Sequence, residues 1–156
     1  MLIKENDFYV KESAIHGKGL FCNRDIHKGE MLSYPEFNGA HLIHEQKIIA
    51  LFEHNQAARE TGCRICNDIF AYVDNAFGSY HEDYINHSRK NNCAYHCGFL
   101  FAISNIPSDT ELTINYEDIL PGGHQLQLGN DLIIGANSAL VFDRTAKILS
   151  EIFNKG

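Results

Sequence analysis

The chain has 156 residues, 44% of them hydrophobic, and its 20 acidic against 13 basic side chains give a formal charge of -7. That length suits one compact domain, residues 1–156, with a modest core, and the acidic balance disfavours direct nucleic-acid binding while favouring basic peptides. No stretch approaches the ~20 apolar residues needed to span a bilayer, and Met1 to Asp7 lack the basic-then-apolar order of a secretory leader, so a cytoplasmic chain without membrane contact is expected, with a secreted effector acting in a host as the alternative.

In chain order, Phe8-Tyr9-Val10 and Leu20-Phe21-Cys22 read as short strands separated by a glycine-containing turn. Asp25 to Glu30 has turn chemistry, and Met31 to Tyr34 reads as the next strand, ended by Pro35. From His41 to Arg59, Leu42, Ile43, Ile48, Ile49, Leu51 and Phe52 recur mostly at helical intervals without Pro or Gly, which predicts one inserted helix. Ile69 to Val73, Tyr95 to Ser104 and Thr110 to Tyr116 return to strand-like runs, the last after a turn at Pro107-Ser108-Asp109. Pro121-Gly122-Gly123 marks a break, and Asp143 is placed to cap a terminal helix carrying Ile148, Leu149, Ile152 and Phe153. The residues after Tyr116 are too few for a second domain.

Three polar blocks stand out against this β-rich background. Gly17-Lys18-Gly19-Leu20-Phe21 carries glycines that let backbone approach a ligand, although alone it reads as a tight turn. Asn86-His87-Ser88 follows apolar Tyr84-Ile85 and offers groups able to bond an adenine edge, a ribose or neighbouring backbone; alone it reads as an Asx turn. Glu111-Leu112-Thr113-Ile114-Asn115-Tyr116 ends in a phenol, which in isolation is equally a buried structural tyrosine.

Taken in this order, with Asn92 after the second block, the motifs resemble those of the SET-domain protein lysine methyltransferases from about residue 8 to residue 116. The resemblance implies an α+β, mainly β chain of the β-clip SET fold: small twisted sheets, an inserted helix, a C-terminal helix, and a segment threaded as a pseudoknot. The motif region is 8–118 and the C-terminal extension 119–156. It implies S-adenosyl-L-methionine as cofactor, bordered by Lys18, Gly19 and Leu20 and contacted by Asn86 and His87. Tyr116 matches the catalytic tyrosine, with Tyr84 and Ile114 assigned to the substrate channel and Tyr34, Tyr72 and Tyr80 as further aromatic candidates. The implied substrate is a basic, lysine-containing protein or peptide, a histone tail being one example. Such a tyrosine orients and polarises, since aligning amine, methyl carbon and sulfur supplies much of the rate.

The chain departs from the family at Asp83, where arginine is usual, at Arg89 in place of cysteine, and at Asn91 in place of proline. No cysteine follows Cys97, so the family's post-SET zinc cluster is absent and the C-terminal helix is left to close the site. Five cysteines, an odd number, suggest reduced thiols rather than a disulfide framework. Cys63 and Cys66 form a C-x-x-C pair that, with Cys93 and Cys97, would offer four zinc ligands or a dithiol; no metal is expected in the site itself. A noncatalytic SET-like binding module and a zinc- or redox-dependent regulator remain the competing classes.

Overall fold

The computed structural model describes residues 1–74, 78 and 80–154. Strands β1 (Phe8–Glu12) and β2 (Lys18–Cys22) form an antiparallel hairpin in which Phe8 opposes Cys22 and Glu12 opposes Lys18. Strand β3 (Met31–Ser33) stops before Tyr34-Pro35, because proline has no N–H to continue a ladder.

The run from His41 to Arg59 is three elements rather than one helix: β4 (Ala40–His44), α1 (Glu45–Phe52) and α2 (Gln56–Thr61). The reason lies downstream, where β5 (Cys63–Cys66) and β6 (Ile69–Val73) complete a sheet of order β4-β6-β5. Residues 40–44 pair one for one with 73–69, and that cross-strand pairing overrides the helical spacing of Leu42 and Ile43. Asn55 then restarts the chain as a helix, its side chain accepting the Ala58 N–H at 3.0 Å. Ile48 and Phe52, one helical turn apart, close a small second core with Ala58 and Phe70.

Four further strands precede Tyr116: β7 (Asn86–His87), β8 (Cys93–His96), β9 (Phe99–Ala102) and β10 (Thr113–Ile114). The predicted strand from Tyr95 to Ser104 is the β8–β9 hairpin instead, because Cys97 and Gly98 take φ of 49° and 82° and turn the chain back. β9 lies between β3 and β8, and β7 pairs in parallel with β10, Asn86 beside Thr113 and His87 beside Ile114. Leu20, Ile26, Leu32, Leu100, Ile106 and Leu112, none more than 2% exposed, form the main core, each burial contributing about 1.5–3 kcal/mol before entropy.

Past Tyr116 the chain forms α3 (Tyr116–Ile119), an unanticipated hairpin of β11 (Gln125–Leu128) and β12 (Asp131–Ile134), and α4 (Ser138–Phe153). α4 starts at Ser138 rather than at Asp143, because Asn137 caps it by accepting the Ala139 N–H at 3.0 Å. Arg64 on β5, only 4% exposed, ties the inserted sheet to this C-terminal region. Its guanidinium reaches the carbonyls of Asn67, Asp118, Leu120 and Ala136 and the Glu45 carboxylate. Among the described residues no helix is long and apolar enough to cross a membrane. The architecture is mainly β, as the motif pattern implies.

Candidate active site

The polar blocks that are far apart in sequence converge. Glu111 accepts from the Ser13 hydroxyl at 2.8 Å through both carboxylate oxygens, and from the Asn86 amide at 2.7 Å. The same Asn86 amide donates to the carbonyls of His16 and Lys18, each at 3.0 Å. A Cβ on Gly19 would overlap the Glu111 side chain, so the glycine makes room for this carboxylate and locks the first block onto the second and third. Asn92 completes the clasp, donating to the Glu111 carbonyl at 2.8 Å and accepting the Thr113 N–H at 2.8 Å.

Tyr116 is held at both ends by the segment before and within β7. Its backbone N–H donates to His87 Nδ1 at 3.0 Å, and its phenol donates to the Ile85 carbonyl at 2.7 Å. Donating that proton leaves the phenol oxygen as an acceptor for a further group. Burial first, then the nearby Cys63 and Glu111, push its pKa up to about 12, so the residue stays neutral near pH 7 and is no base. Burial also lowers the His87 pKa, favouring neutral imidazole with its proton on Nε2, since Nδ1 accepts from Tyr116. That Nε2–H is buried and has no hydrogen-bond partner among the described residues; the Asp131 carboxylate stands 3.6 Å away. An orphaned buried donor of this kind suits a bound ligand's acceptor.

Tyr116 and Ile114 line a cleft of about 290 Å3 together with Tyr34, Tyr72, Tyr80 and Tyr95. Glu36, Glu60 and Glu82 also line it. Tyr95 was not singled out in the sequence; a tyrosine inside a strand-like run carries no distinguishing local signal. Its phenol, bonded to Ser33, is pushed well above the ordinary tyrosine range by burial. Tyr84 is not among the residues lining the cleft; it is partly buried and packs against the main core. Leu20 is likewise committed to the core, with its carbonyl accepting the Leu112 N–H at 2.7 Å. Lys18 is exposed at the start of β2, and Gly17 holds φ of 49° with nothing within 4 Å of a Cβ position, leaving this backbone open to a ligand.

The departures from the family pattern have structural uses. Asp83 accepts the N–H groups of Gly78 and Tyr80 at 3.0 and 3.2 Å, stapling the turn before β7. Asn91 donates to the Cys93 carbonyl at 2.7 Å. Arg89 pairs with Asp131 at 2.7 Å, which draws the β11–β12 hairpin to the His87 segment. That hairpin, rather than the C-terminal helix, therefore occupies the flank of the motif; α4 packs on β8, where Thr145 meets His96 at 2.8 Å.

The cysteines do not assemble as their spacing suggested. Cys66 lies 2.9 Å from Cys97, sulfur to sulfur, whereas the Cys63 thiol points at the Arg64 carbonyl and Cys93 is fully buried. The register shift in β5 between Arg64 and Cys66 separates the C-x-x-C pair. Among the described residues no three His, Cys, Asp or Glu side chains are grouped to hold a metal.

The sequence profile of the SET domain matches residues 17–117, and the chain belongs to the SET-domain family. Human histone-lysine N-methyltransferase 2B is 32% identical over 117 residues, covering 69% of this chain but 4% of that much longer protein. Among solved structures, a humanised mutant of the Chaetomium thermophilum Polycomb Repressive Complex 2 bound to the inhibitor GSK126 superposes with a TM-score of 0.54 at 25% identity. The match covers 74% of this chain and 15% of that one.

Proposed function

We propose that the protein transfers a methyl group from S-adenosylmethionine to the side-chain amine of a lysine in a basic protein or peptide. The observation that carries this reading is Tyr116, fixed by His87 and Ile85 at the wall of a tyrosine-lined cleft. The orphaned His87 Nε2–H and the open backbone at Gly17 fit the cofactor, while the Asn86 amide fixes the His16 to Lys18 segment beside them. When bound, it supplies an electrophilic methyl group on a sulfonium centre.

The residues of the chain do the rest. Deprotonating a lysine near neutral pH costs about 4 kcal/mol from its reference pKa. The tyrosine-lined walls lower that cost by excluding water and disfavouring the ammonium form. The Tyr116 oxygen, its own proton committed to Ile85, accepts an N–H of the neutral amine and aims the nitrogen lone pair. Carboxylates of Glu36 and Glu60 at the cleft attract basic residues flanking the lysine, Glu82 there being paired with the Met1 ammonium at 2.8 Å.

Titration calorimetry with S-adenosylmethionine is expected to give 1:1 binding and a higher melting temperature, since a ligand of the native state stabilises it by mass action. His87→Ala weakens that binding. No heat and no thermal shift at millimolar cofactor would falsify the enzyme reading and leave a noncatalytic binding module.

Ile114, 4% exposed and on the cleft wall, has no hydroxyl with which to retain a water beside the amine. Ile114→Tyr adds both bulk and a hydroxyl there and is expected to reduce the number of methyl groups added. Mass spectrometry of a single-lysine peptide after long incubation reads the change; an unaltered product distribution removes Ile114 from the channel.

A further inference from the structure

Two free thiols from separate sheets meet beside the cleft. Cys66 ends β5 and Cys97 sits in the β8–β9 turn, 31 residues later, and their sulfur atoms lie 2.9 Å apart. Both are partly exposed, whereas Cys22 and Cys93 are buried. The backbone at Cys97 adds a second observation. It holds φ of 49° and is followed by Gly98 at 82°, a two-residue hairpin turn whose first position ordinarily takes Asn, Asp or Gly, which tolerate the left-handed region. Cysteine there accepts a conformational cost that asparagine avoids, which points to the sulfur as the reason for the residue.

We propose that Cys66 and Cys97 are a modification site: they form a reversible disulfide that ties the inserted β4–β6 sheet to the β8–β9 hairpin, with a small disulfide such as oxidised glutathione as the oxidant. One cysteine thiolate attacks the oxidant, forming a mixed disulfide and expelling one glutathione thiolate. The second cysteine thiolate attacks the protein sulfur of that bond, closing the Cys66–Cys97 linkage and expelling the other glutathione thiolate. The two protons lost from the protein end on the two glutathione thiols, so two protein thiols and one oxidised glutathione become one protein disulfide and two reduced glutathiones. Burial and the neighbouring Cys66 push the Cys97 pKa up to about 11, so the exchange quickens as pH rises above neutral.

Ile65 and Gly98, the neighbours of the two cysteines, line the cleft, so the bond fixes that wall. It also closes a loop within the chain and restricts the unfolded state. Neither consequence requires the protein to transfer methyl groups, so the readouts below stand apart from that reading.

The test is to incubate the whole chain with excess oxidised glutathione at mildly alkaline pH, alkylate the remaining thiols, and read intact mass, peptide map and melting temperature. The expected result is a loss of about 2 Da before alkylation, one cross-linked peptide pair containing Cys66 and Cys97, and a melting temperature higher by about 5 °C, all reversed by dithiothreitol. Cys66→Ser and Cys97→Ser each abolish the cross-link, and Cys63→Ser retains it. A chain that keeps all its thiols, carries only glutathione adducts, or links another pair of cysteines overturns the proposal.

Discussion

Tyr116→Phe is expected to leave the protein folded and to slow methyl transfer to a lysine peptide by about 10²-fold or more. The substitution removes one oxygen and almost no volume, so the ring stays packed beside His87, whose centroid is 5.4 Å away. What disappears is the acceptor aimed into the cleft and the 2.7 Å bond to the Ile85 carbonyl. The stranded carbonyl lowers stability by about 1–3 kcal/mol, a separate effect that thermal melting measures. A hundredfold loss in rate corresponds to about 2.7 kcal/mol of transition-state stabilisation, within the reach of one positioned hydroxyl. Cofactor affinity changes little, because the backbone N–H to His87 is untouched. A variant that methylates as fast as wild type removes Tyr116 from the reaction.

Arg64→Leu is expected to lower the melting temperature by about 10 °C, through the loss of about 3–5 kcal/mol. The guanidinium serves four carbonyls and the Glu45 carboxylate from a nearly dry position, and lies over the Phe70 ring with 4.8 Å to its centroid. Leucine fills part of the volume and satisfies none of those acceptors, and among the described residues Glu45 Oε1 keeps the Gly122 N–H at 2.7 Å. Arg64→Lys retains a charge but not the planar fork of donors, and is expected to fall between the two. A shift below about 2 °C for the leucine variant shows that water replaces the arginine in this role.

Much of this was legible in the chain because motif residues announce themselves locally. A polar Asn-His-Ser following two apolar residues, or a phenol at the end of a strand-like run, needs no partner to be noticed. Secondary structure was legible where short aromatic and aliphatic runs met no competing pattern, as in β1, β2 and β6. At His41 to His44 the helical spacing was real, but pairing with Ile69 to Val73 prevailed, and local spacing carries no trace of a partner strand. The β11–β12 hairpin did leave a signal, the alternation Gln125-Leu126-Gln127-Leu128 followed by Gly129-Asn130. Two supports of the site were not legible: Ser13 for Glu111 and Arg64 for the C-terminal carbonyls. Each pairs residues remote in sequence, and nothing in a serine or arginine states which distant atom it will meet, whereas the cysteines were grouped by type and only the pair Cys66 and Cys97 meets.

The contact between Ser13 and Glu111 spans 98 residues, and it gives the site a place in time as well as in space. During synthesis Ser13 precedes Glu111, and its hydroxyl has no such carboxylate to meet until almost the whole matched region has followed it. Asn86, which donates to the His16 carbonyl and to Glu111, arrives with the same carboxylate missing. The strands of the first hairpin can form from nearby residues, but β7 and β10 must close a long loop before their pairing returns any free energy. The wall that holds Tyr116 thus waits on a long-range closure that the first hairpin does not need. Enzymatic competence is expected to appear with that closure in refolding, not with the early gain of β structure.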